Sequence, residues 1–368
     1  MMCSERPPVC HGRIQAQDAE GSTSETGWRF DEEHHISRDA AEPPIGEIKM
    51  IRVSASGLRF ALCSLFLLVA ASSTAAEDVA LTFDDLPVYG PRGTIEEATA
   101  LTDKLTRGLM RHHLPAIGFV NEIQLEGADR ALRIALLRRW LDAGMDLGNH
   151  SYSHLSLDHT PVEVYIADVA RGEAITSALL EERGQKERWY RYPYLETGTT
   201  MDVRDRFEGW LGVHGYRVAP VTMENGDWEF ADRYDEALAR HDKSDARRIR
   251  RAYLDFTGQV VAWYRGAGLQ LLGRRPSFVF LLHASRLNAA SIGSLAKILR
   301  RQHLRAVSLD QAMTDPAYAI ADTYIGPDGD EWLTRWSLTL HKELPWSTLP
   351  QVPELYARPE APSYHPSQ

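Results

Sequence analysis

Cysteine is almost missing from this 368-residue chain: it occurs only as Cys3, Cys10 and Cys63, and everything after residue 63 is thiol-free. That excludes a disulfide framework, a cysteine zinc site and a cysteine nucleophile from the larger part of the chain. Any metal there must be held by His, Asp or Glu. Cations are also in deficit, 41 Lys and Arg against 51 Asp and Glu, for a net charge of -10. Nucleic acids and anionic membrane faces both require clustered Lys and Arg, so neither is expected as the main partner. The local basic runs, Arg247, Arg248, Arg250 and Arg251 and then Arg274 and Arg275, read as solvated helix faces or turns. No internal repeat is visible. What the chain does have is 43% hydrophobic and 25% charged residues, enough apolar material for a substantial core and too much for disorder throughout.

The apolar run at 60–71 is short of the roughly 20 residues that a membrane-spanning helix needs. Arg52 and Arg59 precede it, and Ser73, Thr74, Ala75 and Ala76 follow. A positive start, a short apolar middle and a small-residue exit are the parts of a secretory signal. The expectation is a signal peptide over 50–76, export to the periplasm or beyond, and no stable membrane anchor after cleavage. Residues 1–49 are polar and mixed and read as a disordered leader. Met50 opens the signal in the usual way, so translation is expected to start there.

From Val79 onward, short β-prone runs alternate with helical stretches. The runs are 79–83, 114–120, 145–149, 189–192, 216–221, 277–282 and 305–308, with helices expected at 95–113, 129–143 and 161–183. This alternation predicts an α/β fold with a parallel sheet, open or closed into a barrel, whose reactive side chains gather at the carboxyl ends of strands. Asp84, His150, Arg191, Asp227 and His283 each follow a β-prone run. The helical stretch 233–275 reads as an insertion. Beyond Leu309 the chain becomes rich in aromatics, Pro, Gly and Asp, and 316–368 reads as an irregular extension whose aromatics anchor it to the core.

Two local patterns carry chemistry. His150 and His154, four apart, would share one metal ion if they stood on a helical turn. Asp84 and Asp85 close the first strand, where one acid could ligate and the other take a proton from water. Either pattern alone is common without function. Together they give a carboxylate and two imidazoles, a set that leaves a metal with open positions for hydrolysis. His112, His113, His159, His214, His241, His303 and His341 have no acid partner in view and read as solvated or capping residues.

In these features the sequence resembles the polysaccharide deacetylases with a NodB-homology domain, carbohydrate esterase family 4, over roughly residues 79 to 315. Five ordered motifs carry the resemblance: Thr82-Phe83-Asp84-Asp85, His150-Ser151-Tyr152-Ser153-His154, Arg191-Tyr192-Pro193-Tyr194, Asp227-Trp228 and Leu281-Leu282-His283. The resemblance implies a distorted (β/α) barrel and one divalent metal ion on Asp85, His150 and His154. Zinc is the first choice, with cobalt or nickel as alternatives. It implies Asp84 as catalytic base, steadied by Arg191, and His283 as general acid, tuned by Asp227. The Tyr194 backbone N–H would serve the oxyanion, while Trp228 and Leu281 would line the acetyl pocket.

The implied reaction is hydrolysis of an acetyl group, first of all an N-acetyl on an exported glycan. An O-acetyl esterase, a small-amide hydrolase and a silent glycan-binding module are the alternatives, and no protein partner is expected. Leu86 and Leu195 stand where the family commonly has Gly, and Glu224 and Asn225 lead the fourth motif without its usual Asp. Larger side chains at 86 and 195 suggest a crowded rim and a reshaped groove.

Overall fold

A computed structural model describes residues 76–326 and 329–357. The leader and the signal sequence expected at 1–76 lie outside the described residues but for Ala76, as do 358–368. No helix among the described residues is long and apolar enough to cross a membrane.

The sheet is seven-stranded and parallel at every pairing, in the order β5-β4-β3-β2-β1-β6 with β7 also on β1. β1 (Glu77–Leu86) is buried from Val79 onward, as a central strand covered on both faces must be. One edge of it pairs with β6 (Phe278–His283), bringing Asp84 beside His283. Val79 and Ala80 have partners in both β6 and β7 (Leu304–Val307), so β7 holds the edge that β2 (Ala116–Val120) takes over from Leu81. One edge shared by two strands bends the sheet into the distorted barrel. The register on β2 slips between Phe83 and Leu86, and this irregularity falls on the two acids. Bulges at sheet ends commonly re-aim side chains in this way.

The first helix, α1 (Ile95–Arg111), buries Ala98, Leu101, Leu105 and Leu109 at the three-and-four spacing of one face. Thr94 and Glu97 close its start in a reciprocal capping box. After α2 (Arg130–Asp142) the strand β3 (Asp146–Asn149) delivers His150. The helix expected over 161–183 is two, α3 (Val162–Arg171) and α4 (Ala174–Glu181). The reason is Gly172, which lies so close to the next segment that a Cβ would meet the Ser151 carbonyl carbon and the Tyr152 nitrogen at 2.5 Å. The chain breaks its helix there to seat the histidine loop.

β4 (Trp189–Tyr190) and β5 (Arg217–Val218) flank α5 (Met201–Val213) and are shorter than their β-prone runs. Next come α6 (Asp227–Ala239) and the 30-residue α7 (Lys243–Leu272). The insertion boundary expected at 233 thus falls inside a helix, whose first residue is Asp227 itself. α8 (Arg286–Arg301) then returns the chain to β7, which α9 (Leu309–Ala312) follows. His113, His241, His303 and His341 all sit in left-handed positions just past helix ends. Each N–H bonds back to a carbonyl of the last turn, so these histidines are helix stops.

The extension beyond residue 315 contains a proper helix, α10 (Trp332–Thr339), among its irregular turns. Trp336 and Arg335 are fully buried, and Tyr318 packs edge-to-face on Trp336 at 5.3 Å. Glu331 caps α10, accepting from the Thr334 N–H at 2.9 Å and its hydroxyl at 2.6 Å. Burial is the main force on this carboxyl, and nearby Asp330 and Glu224 add to it, so its pKa rises from 4.5 to about 8 despite Thr334.

A carboxyl raised on folding binds its proton more tightly in the folded state. Its contribution is most favourable below 4.5 and is lost as the pH climbs toward 8. Glu331→Gln is therefore expected to match the parent in melting temperature near pH 5. By pH 9 the variant should melt about 5 °C higher, the scale of a few kcal/mol in a domain of this size. Parallel melting curves across that range would refute the assignment.

Candidate active site

β1, β3, β4 and β6 all end on the same rim of the sheet, and the polar residues they deliver meet there. Ligand-type atoms of Asp85, His150 and His154 lie within 4.8 Å of one another, the single such group among the described residues. His150 Nε2 is 3.8 Å from Asp85 Oδ1, and His154 Nε2 is 3.6 Å from the same oxygen. The Nδ1 of His150 meets the Arg191 carbonyl at 2.8 Å. A carbonyl can only accept, so Nδ1 carries the hydrogen and Nε2 keeps its lone pair for the centre. Burial first of all, then the neighbouring His154, pulls the His150 pKa down to about 3. A neutral imidazole is what a cation needs. By donor type, spacing and protonation these three residues fit one divalent ion.

The His150 to His154 segment is not the helical turn that its spacing suggests. It is a loop, with Ser151 and His154 both at positive φ (64° and 59°). Asp168 on α3 holds it, accepting from the Ser153 N–H at 3.0 Å and from the Ser153 hydroxyl. Asp85 is also left-handed, at φ 63°, as are Tyr194 and Leu195 at 57° and 59°. Non-glycine residues held there cost on the order of 1–3 kcal/mol each and persist only where their surroundings over-determine them. Five such residues at one rim mark a site shaped against local preference.

Beside the three converging groups stands Asp84. It is 3% exposed, accepts from Arg191 Nη1 at 3.4 Å, and its Oδ1 has no hydrogen-bond partner. Burial lifts its pKa to about 6 against the opposing charge of Arg191. Arg191 is itself buried, bonded to the Thr82 hydroxyl at 3.0 Å and set 4.8 Å over the Phe119 ring. A buried carboxylate with a free oxygen and a pKa near neutrality is equipped to receive a proton.

His283 occupies the other flank. Its Nδ1 meets Asp227 Oδ1 at 2.7 Å, and Asp227 Oδ2 accepts from the His283 backbone N–H at 2.8 Å. Burial depresses the imidazole, but Asp227, Asp85 and Asp84 outweigh it and raise its pKa to about 9. The ring is therefore cationic at neutral pH, and it packs against Tyr89 at 4.8 Å with the two rings tilted by 51°. Trp228 is half-buried next to Asp227, Leu281 is 8% exposed, and the half-buried Tyr194 ring meets His154 edge-to-face at 4.4 Å.

Residues 71–207 match the family model described as polysaccharide deacetylase. Over that stretch the chain is similar to the polysaccharide deacetylases. Solved structures similar to this chain include a family 4 carbohydrate esterase from Streptomyces lividans in complex with acetate. It is 21% identical, with 65% of this chain and 96% of that chain covered and a TM-score of 0.44. A polysaccharide deacetylase from Bacillus cereus is 18% identical over 63% of this chain and 91% of its own, at a TM-score of 0.45. A peptidoglycan deacetylase from Bacillus subtilis is 20% identical over 65% and 91%, at 0.42. No curated protein matches.

The crowded rim expected from Leu86 and Leu195 is not what the structure has. Leu86 is 2% exposed and points into the core around Leu101, Leu105 and Trp140. Leu195 is 7% exposed and belongs to the same core. A large side chain beside the site is harmless when the backbone turns it inward. Other supports were invisible in the motifs. Asn288 donates to Asp227 Oδ2 and to the His283 carbonyl, and Tyr253 orients it by donating to its Oδ1 at 2.7 Å. Gln124 donates to the Asp85 carbonyl at 3.3 Å. Only the position of Asn288, three residues past the helix cap Ser285, hints at its role.

Proposed function

We propose that the chain is an exported, metal-dependent hydrolase that removes acetyl groups from N-acetylated sugars of an extracytoplasmic polysaccharide. One observation carries this reading: a base and an acid face the same three-residue metal group. Asp84 has a free buried oxygen, and His283 holds a proton at neutral pH. A divalent ion on Asp85, His150 and His154, zinc by first choice, would supply Lewis-acid activation of water and of the acetyl carbonyl.

Asp84 then takes the proton from the attacking water, and Arg191 keeps its carboxylate oriented. The charge developing on the carbonyl oxygen falls to the Tyr194 backbone N–H, a kind of contact worth about 3 kcal/mol in other enzymes. His283 gives its proton to the departing nitrogen, so that a neutral amine leaves. Asp227 balances the imidazole through both halves of that exchange. Trp228 and Leu281 offer apolar surface to the acetyl methyl.

The acid is what favours an amide over an ester. An amide nitrogen is a poor leaving group until protonated, whereas an alkoxide depends less on such help. The signal-like segment before residue 77 supports an extracytoplasmic glycan as substrate. Acetate release should be measured on a panel of N-acetylated and O-acetylated glycans, with and without chelator. Release from the N-acetylated members, abolished by chelation and restored by zinc, is the expected outcome. Release from O-acetylated members alone would make the protein an esterase. Silence on all of them, in metal-loaded protein, would leave only a binding role.

A further inference from the structure

The turn that presents Tyr194 contains two successive left-handed residues without glycine, and the Leu195 and Glu196 N–H groups donate to the Tyr192 and Pro193 carbonyls at 3.2 Å. Its support comes from about 140 residues further along the chain, outside the stretch that matches the family model. The guanidinium of Arg335 on α10 is fully buried and donates to the Leu195 carbonyl at 2.7 Å. It also donates to the Thr197 hydroxyl at 2.9 Å and the Asp322 carboxylate at 2.8 Å. Trp332 stacks under it at 4.4 Å, which leaves the planar group one orientation. Gly329 lies against the same turn from outside, where a Cβ would fall onto the Tyr194 carbonyl oxygen.

We propose that Arg335 is a positioning residue for the reaction, with the C-terminal extension acting as a brace that holds the 193–195 turn in its strained form. The inference rests on the deacetylase reading of the site, in which the Tyr194 N–H faces developing charge. Arg335 touches neither the metal group nor the acid–base pair. Its loss should leave both in place and disturb only the donor. The guanidinium also donates through Nε to the Asp330 carbonyl at 2.7 Å, and a lysine cannot span all four acceptors, so the conservative change should recover only part of the function.

The test compares the full chain with Arg335→Ala, Arg335→Lys and Gly329→Ala, all zinc-loaded. For Arg335→Ala, kcat for acetate release should fall about 10- to 100-fold, the cost of a misplaced oxyanion donor. KM and zinc content should hold within about twofold, and added guanidinium should restore part of the rate, because the donor is needed in the transition state. Should Arg335→Ala fail to fold, Gly329→Ala reads the same turn without removing a buried charge, and the same kcat loss is expected. Amide hydrogen exchange should quicken at 194–197 in the variants and stay unchanged at 150–154. An unchanged kcat in folded variants, or a loss that follows zinc content, would overturn the brace. If the parent releases no acetate from any glycan, the deacetylase reading fails; faster exchange at 194–197 would then still support the brace, and unchanged exchange would end it.

Discussion

Asp84→Asn should abolish acetate release, by at least about 1,000-fold in kcat, while leaving the metal in place. The carboxylate is the one group at the rim that combines burial, a free oxygen and a pKa of about 6. General-base catalysis contributes 10²–10⁴-fold in other enzymes, and the amide oxygen of Asn cannot take the proton. The ligand group does not include Asp84, so elemental analysis should return the same zinc content as in the parent. Stability should not fall for want of the charge: burial disfavours the ionised carboxyl in the folded protein even with Arg191 opposite it, so the neutral amide should melt at or above the parent near pH 7. The Thr82 hydroxyl and the Phe119 face remain to hold the guanidinium, so the fold should survive. A fully active Asp84→Asn would remove this residue as the base. In the parent, activity should be lost as the pH falls and Asp84 takes up its proton. The midpoint should lie at or below about 6, since a cation on the adjacent Asp85 would pull that pKa downward.

The alternation of β-prone and helical stretches was enough for an α/β sheet with a reactive rim, because Val79 to Phe83 and Phe278 to Leu282 are short, largely apolar runs of the kind that buried strands have. The donors of the site were legible for a related reason: ligation and proton transfer accept few residue types, and those types stand in order. What escaped the sequence is backbone conformation. Asp85, Tyr194 and Leu195 take up a region of φ where glycine would ordinarily be expected, and nothing in their identity announces it. The same blindness made Leu86 and Leu195 look like obstructions. It also made His150 and His154 look like one helical face, when the loop between them is bent by Ser151 and tied to Asp168. Gly172 and Arg335 were illegible because each acts on a segment distant in sequence, and pattern reading is local.

His150→Ala should remove the metal and, with it, all activity. Each of the three ligand residues contributes one atom, so the variant keeps a single imidazole and a carboxylate. Losing a group that only orients a ligand costs 10–100-fold in metal affinity elsewhere. Losing the ligand itself should cost more, enough to leave the protein metal-free after dialysis. His154→Ala should lose the metal as well, but the two variants should part in stability. His150 is 2% exposed and its ring accounts for the hydrogen bond to the Arg191 carbonyl, so truncation opens a hole and orphans a buried acceptor. Losses of that kind run to about 1–3 kcal/mol for the acceptor alone. His154 is 19% exposed, so its truncation leaves a space that solvent can partly fill. Elemental analysis should therefore find both variants empty, while thermal melts of the metal-free proteins should show His150→Ala well below His154→Ala. Equal melting temperatures would mean that His150 serves the ion alone. A stoichiometric zinc in either variant would take that histidine out of the metal group and move the centre elsewhere on the rim.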